Sequence, residues 1–269
     1  MRKVLVKMRL RKNQLKFIKG VLGCLGDEVL LRFSPEGLEV YMVDPAHVMM
    51  VHLTLSEKKM NALFLDEYVC SEPHCLGMDL NNISPKLLNC EGNEYLLEFD
   101  DEGHIDIEGR LSKVTIDEYL EFLMVNRRFN QISTEGMSNP KWPAMNYIGH
   151  FTTSGGHFFK VMRMLEEVSD HVAILATPHD GAAITADDDI GLLQAIGMSS
   201  KAVVDGSNGD EESNVRSLFP ADYMKNLAVA LKDCPAVTFD MHNDMPVRLT
   251  TELAGVKVEY LLAPRIESD

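Results

Sequence analysis

Apolar residues recur at helical spacing in two stretches of the chain. Leu15, Ile18, Leu22 and Leu25 fall on one helix face, and Phe158, Val161, Met162 and Leu165 do so in the second half. Each stretch leads into an apolar run broken at Pro and Gly, Asp27-Glu-Val-Leu-Leu-Arg-Phe-Ser-Pro-Glu-Gly37 and Asp170-His-Val-Ala-Ile-Leu-Ala-Thr-Pro-His-Asp-Gly181, and both runs predict β-hairpins. Further on, Leu87 and Cys90 precede a predicted strand at Tyr95–Phe99, as Leu231 and Cys234 precede one at Ala236–Phe239. The offset is 143 from Leu15 to Phe158, from Asp27 to Asp170 and from Pro35 to Pro178, and 144 from Cys90 to Cys234. Four such pairs in the same order predict two domains of similar fold.

A helix is also expected after Ser84-Pro85, and another with Met224, Leu227 and Leu231 on its apolar side. The remainder alternates in short runs that predict strands: Leu38–Val43, Val48–Leu55, Ile105–Glu108, Val114–Met124, Ala182–Ala186, Gly191–Ile196, Val247–Leu253 and Val256–Leu262. The expected class is therefore α+β, with domains at 1–125 and 147–269 joined by an extended connector, 126–146, rich in Asn, Ser, Gly and Pro.

The chain has 269 residues, 45% hydrophobic and 25% charged, which excludes a disordered or fibrous class. No apolar run reaches the ~20 residues that span a bilayer, and the basic start lacks the continuous apolar segment of a secretory signal, so no membrane partner is expected. Five cysteines, an odd count, predict reduced thiols rather than a disulfide framework. The net charge of −15 argues against simple electrostatic binding to nucleic acid, provided the cations are scattered.

They are not scattered. Lys12, Lys16 and Lys19 fall at i, i+4 and i+7 of the first helix, Lys160 and Arg163 at i, i+3 of the third, Lys225 and Lys232 at i, i+7 of the fourth, and Lys86 lies in the second. The acidic residues gather instead in strands and turns, as at Asp100-Asp-Glu102, Asp187-Asp-Asp189 and Asp210-Glu-Glu212. Helices sharing one face would present a positive surface that contacts phosphates without reading bases.

Three segments resemble the sliding clamps of the proliferating cell nuclear antigen family. Val256-Lys-Val-Glu-Tyr-Leu-Leu-Ala-Pro-Arg-Ile-Glu267 is similar to a family ending of the Tyr-Leu-Ala-Pro-Lys-Ile-Glu type. Val43-Asp-Pro-Ala-His-Val-Met-Met-Val-His-Leu-Thr-Leu55 and Leu88-Asn-Cys-Glu-Gly-Asn-Glu94 resemble two further family segments, in the right order. The resemblance implies a DNA clamp fold: a ring of three subunits around duplex DNA, helices inside and β-sheets outside. It implies no cofactor and no catalysis, but a processivity factor working with a clamp loader, DNA polymerase and other replication and repair enzymes. By position, Lys16, Lys19, Lys86, Lys160 and Arg163 match or lie near the family's DNA-facing cations, whereas Asn89 and Val229 stand where Lys is common. The resemblance places the subunit edges at Lys113–Met124 and Ile190–Ser199, with Val114, Ile116, Tyr119, Leu120, Leu192, Leu193 and Ile196 as apolar contacts. Client enzymes are expected to dock a short segment carrying a glutamine and apolar or aromatic anchors. The positions that map to that groove are Val43, His47, Val48, Met50, Trp142, Pro143, Pro246, Ala263, Pro264, Arg265 and Ile266.

Other signals carry less. Cys70 and Cys75 flank His74, but a zinc site needs four ligands and no second pair has suitable spacing. The acidic clusters are expected as hairpin ends, although a metal-dependent hydrolase is the rival they would support. Within the clamp class, the rival is one subunit of a heterotrimeric or checkpoint-type ring. Asp44-Pro-Ala-His47 and the end shortly after Glu267 look closer to archaeal than eukaryotic members, so a cytoplasmic location is expected, nuclear if eukaryotic.

Overall fold

The computed structural model describes residues 2–61, 68–83, 94–110, 114–116, 119–121, 124–137, 140–165, 168–187, 193–205 and 214–265. The first half runs β1 (Val4–Arg11), α1 (Lys12–Gly23), β2 (Glu28–Ser34), β3 (Gly37–Val43), β4 (Met49–Ser56), α2 (Glu57–Asn61), β5 (Tyr68–Cys70), β6 (His74–Asp79), a 3-10 turn (Leu80–Asn82), β7 (Glu94–Asp100), β8 (His104–Arg110), β9 (Val114–Ile116), β10 (Tyr119–Glu121) and β11 (Met124–Asn130). The second runs β12 (Gly149–Thr153), α3 (Gly155–Leu165), β13 (His171–Thr177), β14 (Gly181–Asp187), β15 (Leu193–Ser199), β16 (Ala202–Val204), β17 (Val215–Pro220), α4 (Ala221–Leu231), β18 (Val237–Met241), β19 (Val247–Leu253) and β20 (Val256–Leu262).

These elements form two compact units: Met1–Met42, His52–Asn139 and Ala254–Lys257 make one, and Val43–Val51, Pro140–Leu253 and Val258–Asp269 the other. In the first unit the antiparallel order is β11-β8-β7-β1-β5, and β2 pairs with both β3 and β6. The second has β15-β14-β13-β17 and a run β16-β12-β18-β19.

The helices follow their apolar spacing. Leu15, Ile18 and Leu22 of α1, Phe158, Val161, Met162 and Leu165 of α3, and Met224, Leu227 and Leu231 of α4 are all buried. Burial of each such side chain is worth about 1.5–3 kcal/mol, which holds the helices against their sheets. Gln14 begins α1 by accepting the N–H of Arg11 (2.8 Å), and its own amide donates to the carbonyl of Ala254 (2.9 Å), so this buried polar group is satisfied on both sides. In the second unit Phe239 stacks on Phe151 (4.6 Å) and meets Phe158 edge-on (5.2 Å).

The predicted duplication reappears in backbone hydrogen bonds. Leu25 N–H donates to Leu22 (3.0 Å) as Val168 does to Leu165 (3.0 Å), and the carbonyls of Asp27 and Asp170 accept from Leu80 (2.7 Å) and Ala221 (2.9 Å). The hairpin turns correspond too, Ser34 pairing with Gly37 and Thr177 with Gly181.

Two expectations are corrected. A single strand is expected over Val114–Met124; among the described residues of that span, β9 and β10 instead pair antiparallel with each other, Tyr119 opposite Ile116, and Met124 opens β11. The connector expected from residue 126 begins as strand, because Met124–Asn130 pairs along its length with β8. Residues 140–148 carry no regular element until β12.

Candidate functional site

Two features stand out: the basic helix faces and a groove in the second unit. Lys16 on α1, Lys160 and Arg163 on α3, and Lys232 just after α4 are exposed, opposite the buried residues of their helices. Lys12, Lys19 and Lys225 are half-buried. Lys19 donates to the carbonyl of Ile83, so its ammonium is held against the first unit, and the Arg163 guanidinium lies 6.0 Å from the Phe159 ring centre. Lys12 and Lys16, with Arg11, Asn13 and Glu94, line a cavity of about 550 Å³ at the start of α1. Lys86 lies outside the described residues.

The groove, of about 750 Å³, is lined by Val48, by Ser169 to His171 ahead of and into β13, by Pro220 to Tyr223 and Lys225 at the start of α4, and by Ala263 to Arg265. It gathers Val48, Ala263, Pro264 and Arg265 of the expected client site, and it also takes in Lys225, which the spacing had assigned to the DNA-facing set. Val43, His47, Met50, Trp142, Pro143 and Pro246 are not among its lining residues; His47 and Pro143 are exposed and Trp142 half-buried. Ile266 lies outside the described residues. Tyr223, Pro220 and His171 were not expected there, and their distance in sequence from both ends of the groove left no local signal.

Backbone pairing builds the walls. Ala263 N–H donates to the carbonyl of Val48 (2.9 Å), and Arg265 N–H to that of Leu218 (2.7 Å). The Arg265 guanidinium reaches His171 Nδ1 (3.2 Å). Asp44 is 5% exposed and anchors the turn that carries Val48, its carboxylate accepting N–H bonds from Ala46, Val48 and Met49. Burial pushes the Asp44 carboxyl up, but the Met49 N–H, the Tyr223 hydroxyl and the other turn N–H groups outweigh it and hold the group below the ordinary range. The same bond, with burial, pushes the Tyr223 hydroxyl up to about 12.

Of the residues expected at subunit edges, Val114 and Ile116 lie in β9, Tyr119 and Leu120 in β10, and Leu193 and Ile196 in β15, which ends its four-stranded sheet; Ile196 is half-buried. Leu192 lies outside the described residues.

The acidic cluster at the β7–β8 hairpin proves to be an ion network. Asp100, Glu102 and His104 bring ligand atoms within 4.8 Å of one another, but the Arg2 guanidinium sits 2.6 Å from Asp100 and also bonds Asp106. Arg2 already neutralises the buried carboxylate, which leaves a cation little to gain there.

The family model for the proliferating cell nuclear antigen N-terminal domain matches residues 6–108, and that for its C-terminal domain matches residues 141–266. The chain belongs to the proliferating cell nuclear antigen family. A relative from Methanothrix thermoacetophila, described as a DNA polymerase sliding clamp, is 30% identical over 249 residues, 91% of this chain and 92% of the relative. One from Methanothermobacter thermautotrophicus with the same description is 26% identical over 96% of both chains. Two solved structures share the fold: Archaeoglobus fulgidus proliferating cell nuclear antigen with the C-terminal region of FEN-1 bound (TM-score 0.78, 24% identity, covering 98% of this chain and 100% of that one), and the Entamoeba histolytica protein (TM-score 0.80, 16% identity, 98% and 100%). The family is a non-catalytic processivity factor. No helix among the described residues is long and apolar enough to cross a membrane.

Proposed function

We propose that this chain is a DNA sliding clamp whose copies assemble into a trimeric ring around duplex DNA and tether polymerase and other replication and repair enzymes. The observation that carries this reading is family membership across both halves of the chain, joined to cations on the solvent faces of α1 and α3 in a protein of net charge −15. With Lys16, Lys160 and Arg163 toward the duplex and the acidic strands outward, the negative protein tolerates a polyanion in its hole. Phosphate contacts equivalent at every step permit sliding. The terminal strand β15 supplies one edge for head-to-tail closure and the β9–β10 segment the other.

The groove at Val48, Tyr223 and Ala263–Arg265 takes the client segment, with apolar walls for its anchors and main-chain groups beside them for its backbone. The chain itself catalyses nothing in this role. Light scattering of the purified chain should give three times its 30.2 kDa mass, and primer extension on a circular template with clamp loader and polymerase should lengthen when it is added. A monomer at every concentration, with no gain in product length, would overturn the reading.

A further inference from the structure

The turn from Asp44 to Met49 is organised around one carboxylate. Asp44 Oδ1 accepts from Val48 N–H (2.7 Å) and Met49 N–H (2.6 Å), and Oδ2 from Ala46 N–H (3.1 Å). The His47 N–H is taken by the Asp44 carbonyl (2.9 Å), and Pro45 has none, so every N–H of the turn is accounted for. His47 holds a left-handed φ of +58°, a conformation a non-glycine side chain keeps only where its surroundings impose it. One donor to the carboxylate comes from far away in sequence: the Tyr223 hydroxyl, 2.8 Å from Oδ2, on the first turn of α4. Val48, at the end of the turn, offers its carbonyl to Ala263 N–H, so a single chain of bonds runs from α4 through Tyr223, Asp44 and Val48 to Ala263. Three of these residues, Tyr223, Val48 and Ala263, line the groove.

We propose that Asp44 and Tyr223 are positioning residues for client binding: their hydrogen bond fixes the 44–48 turn against α4 and thereby sets the width of the groove that receives the client segment. The inference rests on the reading of that groove as the client site. A rigid, pre-set wall spares the client the cost of ordering the turn on binding, so loosening it weakens affinity without removing a contact to the client. Tyr223→Phe deletes the hydroxyl and keeps the ring, and Asp44→Asn keeps the shape while halving the acceptors.

The test is fluorescence anisotropy of a labelled peptide bearing a glutamine and two aromatic anchors, titrated with the full-length chain, its two single variants and the double variant. Tyr223→Phe should weaken binding about five- to tenfold through a faster off-rate, with trimer mass and melting temperature unchanged. The double variant should bind about as weakly as Asp44→Asn alone, because the two changes break one linkage. Equal affinity of wild type and Tyr223→Phe overturns the inference while leaving the groove as client site. A loss that tracks a lowered melting temperature also overturns it, since the pair would then serve the fold alone. No binding by the wild type overturns the client-site reading and this inference with it.

Discussion

Gly37, at φ +140°, packs so closely under the end of β4 that a Cβ on it would overlap the carbonyl oxygen of Leu55. Gly181, at φ +82°, stands in the same relation to the carbonyl of Ser199 at the end of β15. Both open the second strand of the duplicated hairpin, so each repeat requires glycine twice over, for conformation and for space. Gly37→Ala and Gly181→Ala should each destabilise their unit by about 1–3 kcal/mol, the range of core overpacking, read as a lower urea midpoint. An unchanged midpoint for either would mean that the two hairpins are not equivalent.

Gly155 poses a purely steric case. It begins α3, its N–H donates to the carbonyl of Cys234 (3.0 Å), and a Cβ there would overlap the carbonyl oxygen of Leu231, the last residue of α4. The helices α3 and α4 therefore approach through this one missing side chain. Gly155→Ala should lower the melting temperature by several degrees despite alanine's better helix propensity, whereas Gly156→Ala, with Lys232 O at 3.6 Å as its nearest neighbour, should be nearly neutral.

The duplication and the helix cores were legible because burial imposes a period on the sequence, and Leu15, Phe158 and Met224 declare their faces without help from distant residues. β1 obeys the strand period in the same way: Val6, Met8 and Leu10 are buried and alternate with outward Lys7 and Arg9, an alternation carried within the basic start of the chain. The groove was legible in part. Val48 and Ala263–Arg265 came from the resemblance, but the Tyr223–Asp44 bond joins residues 179 apart and leaves no trace in local pattern. For Lys225, i, i+7 spacing fixes a stripe without saying which neighbour that stripe meets, and in the structure the stripe's start borders the groove.

The exposed cations lead to a salt-dependence prediction. Each phosphate neutralised contributes about −0.9 to the slope of log affinity against log salt. Replacing Lys16, Lys160 and Arg163 together with Ala removes these cations from all three subunits of a ring and should flatten that slope for linear duplex by up to about 8, and shorten polymerase products at moderate salt, while trimer mass is kept. Lys19→Ala should do less, because its ammonium is engaged by the Ile83 carbonyl. An unaltered slope for the triple variant would remove these three residues from the DNA-facing surface.

The carboxylates give the pH response its sign. Arg128 grips Asp106 through two bonds (2.8 and 3.0 Å) and, against the opposing effect of burial, keeps its carboxyl below the ordinary 3.8 with help from Arg2. Asp100 is lowered as well: burial raises it, and the N–H groups of His104 and Glu102 with the Arg2 charge more than compensate. A group whose folded value lies below its unfolded one binds fewer protons when folded, so its stabilisation is complete above the unfolded value and is lost as pH falls through the folded one. For these groups the first unit should hold its urea midpoint from pH 8 to about 5 and lose it below about pH 4. Asp106→Asn should cost about 1–2 kcal/mol at pH 7, where three charge-assisted bonds, two from Arg128 and one from Arg2, are weakened or lost, and markedly less at pH 3, where wild type has begun to protonate. A deficit of equal size at both values would show that Asp106 acts through shape and not through its charge.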